Sequence, residues 1–145
     1  MKFSDGLWLN QRGFDVSYAV QAYDVTTTKN SIKIFATSSA IWNRAMTLGG
    51  VAFEITYTAV APDMIRVHIC HHKGGLQNKP QFELNLPEGY VPDDIHEEDG
   101  FVSMTAGHTT LKIKKGTDGW DVSFSRDGKR LTGGGWCEPP DCSKR

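Results

Sequence analysis

Apolar and polar residues alternate with a period of two through most of the 145-residue chain. In "SIKIFATS", Ile32 and Ile34 fall on one side, Lys33 and Phe35 on the other. In "VAFEITYTAV", Phe53, Ile55 and Tyr57 oppose Glu54, Thr56 and Thr58. "MIRVHIC" groups Ile65, Val67 and Ile69. A two-residue period puts alternate side chains on opposite faces of a strand, so each segment predicts a half-buried β-strand. "SYAVQAYDVT", "FVSMTAG", "TTLKIKKG" and "WDVSFSRDGKRLTGGG" extend the series. Within the last, "SRDGKR" predicts a tight hairpin, because Asp-Gly supplies the positive φ angles of a type I′ turn. "SAIWNRAMTLGG" allows one short helical turn, with Trp42 assigned to the core. "LPEGYVPDDIHEEDG" is Pro-rich and acidic, and predicts a surface loop. Short strands separated by turn residues predict an all-β fold, an antiparallel β-sandwich. The pattern stops near "GGGWCEPPDC", which divides a sandwich over residues 1–135 from a tail over 136–145.

Charge changes this picture little. The formal net charge is −1, and no basic stripe or long like-charge run argues for nucleic acid or an anionic membrane. No apolar run approaches the roughly 18 residues of a membrane span. "MKFSDGLWLNQRGFDV" has no continuous apolar core of a secretory leader. The three cysteines form no disulfide framework, and together these features predict a reducing, cytoplasmic setting. Cys137 and Cys142, in "CEPPDC", fit a local disulfide, half a metal site or two free thiols in a tail. The last reading is favoured.

The densest candidate chemistry is "RVHICHHKGG". His68, Cys70 and His72 lie at i, i+2 and i+4, on one face of a strand, and both residue types bind zinc. A site needs a fourth ligand or an open water position, and only His96 and His108 remain as distant histidine donors. Ordinary strand and turn residues are therefore preferred, with no metal and no cofactor. There is no Walker-type loop and no Gly-x-Ser-x-Gly elbow. Asp93-Asp94 and Glu97-Glu98 are chain neighbours that diverge in an extended backbone, whereas glycoside hydrolysis needs carboxylates facing each other across the substrate.

Several stretches carry a resemblance to a known family. The start "MKFSDGLWLNQRGFDVSYAVQAYDV", of the form Met-Lys-x-Ser-Asp-Gly-x-Trp-Leu, is similar to the amino terminus of glycoside hydrolase family 31 α-xylosidases. "IWNRAMTLGGVAFEITYTAVAPDMIRVHICHHKGG", "PQFELN" and "DGWDVSFSRDGKRLTGGG" continue it in register, so that it covers about residues 1 to 135. The resemblance implies a galactose-mutarotase-like β-sandwich, packed in the family beside a (β/α)₈ barrel that carries a retaining mechanism with two Asp residues. The Trp-x-Asp motif of the family's nucleophile does not occur: "GWDVSF" has Trp120 and Asp121 adjacent. No catalytic residue is carried over, and the chain alone is expected to be inactive. The family's sandwich runs on beyond this chain, so the sandwich is expected to be incomplete, with open strand edges and a tendency to homo-oligomer formation.

The resemblance thus implies a non-catalytic amino-terminal domain of an α-xylosidase or α-glucosidase. Its partners are the catalytic barrel and, through the parent enzyme, an α-linked oligosaccharide. "HHKGGLQNKPQ" follows a strand, and His71, His72, Lys73 and Gln77 are its candidates for a substrate rim or domain interface. Trp8 and Trp42 are candidates for docking the barrel, although the core is preferred for Trp42. The alternative is a stand-alone carbohydrate-binding sandwich, with Tyr90, Trp120 and Trp136 stacking on sugar rings.

Overall fold

The computed structural model describes residues 12–71, 87, 89–116 and 119–135. Among the described residues, nine strands form two antiparallel sheets. The first holds β1 (Gln21–Thr27), β2 (Ser31–Thr37), β3 (Ala52–Ala61) and β4 (Met64–Cys70), side by side in that order. The second holds β5 (Asp94–Glu98), β6 (Phe101–Ala106), β7 (Thr109–Lys114), β8 (Asp121–Arg126) and β9 (Lys129–Gly135), also in chain order. Each sheet is a meander of neighbouring strands. A short 3-10 helix, Arg44–Leu48, lies between β2 and β3, with the Asn43 side chain accepting from Ala45 N–H at its start.

Register explains the core. In antiparallel pairs, residues directly opposite share a face. Across the first sheet one inner row runs Val25, Ile34, Ile55, Ile69, and the next Thr27, Ile32, Tyr57, Val67. Across the second sheet the rows run Glu97, Val102, Ile113, Val122, Gly134 and Ile95, Met104, Leu111, Phe124, Thr132. The central members of both sets bury together in a single cluster that includes Ile32, Ile34, Ile55, Met104, Leu111 and Ile113. This shared cluster makes the two sheets the layers of a sandwich. Each such side chain contributes about 1.5–3 kcal/mol relative to exposure.

The rows lose their cover toward β4 and β9. On β9 the inner positions are Thr132 and Gly134, which offer almost no apolar surface. Opposite them, Val67 and Ile69 keep the face their alternation assigns but remain exposed, at 42% and 60%. An open groove of 360 Å³ results, bounded by Tyr18, Phe53, Tyr57, Ile69, Trp120 and Gly134, among others.

Two expectations are corrected. Part of the acidic segment expected to be a surface loop is strand β5, paired with β6 from Asp94–Thr105 to Glu98–Phe101. Its burial pattern shows why: only Ile95 is partly covered, as suits an edge strand with one neighbour. Trp42 is not a core residue. It is 64% exposed, because the chain leaves β2 and places the helical turn outside the sandwich. The Asp-Gly hairpin holds, with φ of 48° at Asp127 and 78° at Gly128.

Candidate functional site

The strand that carries the histidines orients them outward. His68 pairs with Thr56 and Cys70 with Glu54, so both lie on the outer face of the first sheet. His71 is an exposed bend residue just past β4. His72, Lys73 and Gln77 lie outside the described residues, as do Trp8, Trp136, Cys137 and Cys142. Among the described residues no group of three His, Cys, Asp or Glu side chains is placed to hold a metal ion.

The richest polar cluster lies elsewhere, at the end of the sandwich where turns of both sheets meet. Asp63, in the β3–β4 turn, has φ of 61°, a left-handed conformation that Asp and Asn tolerate better than most residues. Its backbone N–H donates to Ala106 O across the two sheets at 3.1 Å. Its carboxylate accepts from His108 N–H at 2.5 Å and from the Arg126 guanidinium at 3.2 Å. Asp93 accepts from Gly107 N–H, also at 2.5 Å. His108 Nδ1 lies 2.9 Å from Asp127 Oδ1. A side chain at Gly107, whose φ is 60°, would begin 2.7 Å from Asp63 Oδ1. Three turns are thus locked by carboxylates that accept hydrogen bonds from backbone and guanidinium donors. Tyr90 belongs to the same end: its phenol is held above its ordinary value by loss of solvent and then by the charges of Asp93 and Asp63.

A second link closes the opposite side. Glu97 lies in an inner row at the edge of its sheet, so it points toward the first sheet. Lys115 Nζ donates to it at 2.8 Å, and the Thr27 hydroxyl at the end of β1 also bonds it. The lysine contact and its charge hold the Glu97 carboxyl below its ordinary value. An inward-pointing charge also discourages another strand from pairing at that edge. At the other end of the second sheet, Asp121 buries Oδ1 without a hydrogen-bond partner among the described residues.

These carboxylates are committed to holding turns and edges. Asp63 and Asp93 accept from neighbouring residues of one turn, His108 and Gly107. Sequence reasoning missed this cluster because its members are far apart along the chain and gather only when the strands pair. Tyr90 and Trp120 pack partly buried against the core.

No helix among the described residues is long and apolar enough to cross a membrane. The chain matches no protein-family model. Curated proteins to which it is similar include two α-xylosidases. The α-xylosidase XylQ of Lactiplantibacillus pentosus is 26% identical over 132 residues, which is 91% of this chain and 17% of that protein. An α-xylosidase of Emericella nidulans is 27% identical over 139 residues, 92% of this chain and 18% of that protein. The chain therefore spans less than a fifth of the length of the curated relatives it matches.

Proposed function

We propose that this chain, a relative of the α-xylosidases, is a non-catalytic β-sandwich of a longer α-glycosidase. The observation that carries the reading is similarity over nine-tenths of the chain to enzymes of which that span is less than a fifth. The local chemistry supports it, because the gathered acids act as acceptors that fix turns. The sandwich would occupy residues 1–135 at the amino-terminal end of a cytoplasmic family 31 enzyme. That enzyme would release terminal α-xylosyl or α-glucosyl residues from oligosaccharides by a retaining mechanism. His71, His72, Lys73 and Gln77 would lie at the substrate rim or at the contact with the catalytic body.

The test compares the 145-residue chain with the longest polypeptide its gene produces, on p-nitrophenyl α-xyloside and α-glucoside. The longer polypeptide is expected to release nitrophenol, and the chain alone is expected to give the uncatalysed rate. Turnover by the chain alone would overturn the non-catalytic assignment. A longer polypeptide inert on both substrates would overturn the glycosidase reading.

A further inference from the structure

The first sheet turns one face to the core. The other face, near the 3-10 helix, carries apolar side chains that no described element covers. Tyr23 and Phe35 are 52% and 41% exposed, with ring centroids 6.4 Å apart and planes at 70°. Trp42 and Leu48 are 64% and 91% exposed, and Met46 adds to the same segment. Tyr23, Ile41, Trp42 and Arg44 line a shallow hollow of 280 Å³ between the sheet and the helical turn. Single exposed apolar residues are ordinary, but a contiguous aromatic patch marks a surface that contacts something. Its make-up, aromatic rings and Met beside an arginine, is that of the centre of a protein interface.

We propose that this patch is the docking surface for the remainder of the longer polypeptide to which the chain belongs. The inference rests on the function proposed above and adds the face through which the sandwich is held. Length argues for this occupant: more than four-fifths of each relative lies outside the matched span. A body of that size joined covalently to the sandwich meets its surface at high effective concentration. Local chemistry argues against a sugar. The rings of Tyr23 and Phe35 meet edge to face and form no flat platform. The Asn43 amide oxygen is occupied by Ala45 N–H, and the Thr47 hydroxyl donates to Arg44 O. Leu48 and Met46 offer a sugar hydroxyl no partner.

Photo-crosslinking in the longest polypeptide made from the gene tests the proposal. p-Benzoylphenylalanine replaces Trp42 in one preparation. In a reference preparation it replaces Lys112, which is exposed on β7 in the other sheet. The cross-linked peptides are then sequenced. Position 42 is expected to capture residues beyond 145 about tenfold more often than position 112, since contact concentrates at the centre of an interface. Suppose the polypeptide extends past residue 145 and cleaves an α-xyloside or α-glucoside. Cross-links from position 42 confined to residues 1–145, or reaching only a second copy, would then overturn the docking surface and leave the proposed function standing. Cross-links lost on adding an α-xylosyl oligosaccharide would reassign the patch to sugar binding. A polypeptide that ends with this chain would overturn the proposed function and the docking surface together.

Discussion

At the scale of single residues, Asp63 does the most to join the layers. It accepts from a backbone N–H and a guanidinium of the second sheet while sitting in a turn of the first. Asp63→Ala removes both acceptors and leaves at φ 61° a residue without the polar side chain that lets Asp tolerate that conformation. The expected cost is about 2–3 kcal/mol, combining lost hydrogen bonds with left-handed strain. Asp63→Asn keeps one acceptor oxygen and tolerates the turn, so about 1 kcal/mol is expected. Urea unfolding with an unchanged slope would measure both. Tyr57 gives a pH signature. It is 4% exposed on an inner row, and burial pushes its phenol from 10.0 up to about 12. The unfolded chain loses this proton from about pH 10, whereas the folded chain keeps it until about pH 12. Stability attached to the protonated phenol is therefore full below pH 10 and is lost as pH rises toward 12. About 2–3 kcal/mol is expected to go over that window. Tyr57→Phe should flatten this part of the stability–pH curve, as read by denaturant midpoints at pH 9 to 12.

At the scale of elements, the alternation that predicts strands is enforced by burial, so it is clearest where both neighbours and an opposing sheet exist. β2, β3, β6 and β7 occupy such places, and their inner residues follow the expected faces. β5 has one neighbour and one partly covered side chain, so its sequence, "DIHEE", carries the composition of a loop. The helical turn was legible, but the solvent side of Trp42 was not, because its exposure depends on where the chain passes after β2. The polar cluster was illegible for the same reason, since its carboxylates and donors are far apart along the chain. β9 offers a sharp element-scale test. A side chain at Gly133 would run into the backbone oxygen of Val122, whereas one at Gly134 meets nothing within 4 Å. Gly133→Ala is expected to cost about 1–3 kcal/mol through displacement of the β8–β9 pairing. Gly134→Ala is expected to be neutral or stabilising by up to about 1 kcal/mol, because a less flexible unfolded chain favours folding. Equal effects in a thermal-unfolding comparison would mean that β9 does not pack against β8 in this register.

For the whole molecule, the proposed function raises the question of what a sandwich would contribute to an enzyme whose chemistry lies in other residues. If it serves as a scaffold, loosening its core should shorten the enzyme's life without altering its catalysis. Leu111 is fully buried on the central strand of the second sheet. Leu111→Ala leaves a cavity and is expected to cost about 2–5 kcal/mol of sandwich stability. In the longer polypeptide this should lower the first unfolding transition and shorten the half-life of activity on warming. At 25 °C, kcat and KM per folded molecule should match the parent under the scaffold reading, because the Leu111 side chain is wholly inside the sandwich core. The complementary variant, Trp42→Ala, removes a ring from the outer patch and leaves the core intact. It is expected to shift KM or kcat at 25 °C with little change in the unfolding of the sandwich itself. The two together separate holding the sandwich together from holding it in place. A Leu111→Ala enzyme that is fully folded yet slow at 25 °C would show that the sandwich core shapes the active site directly, and the scaffold reading would fail.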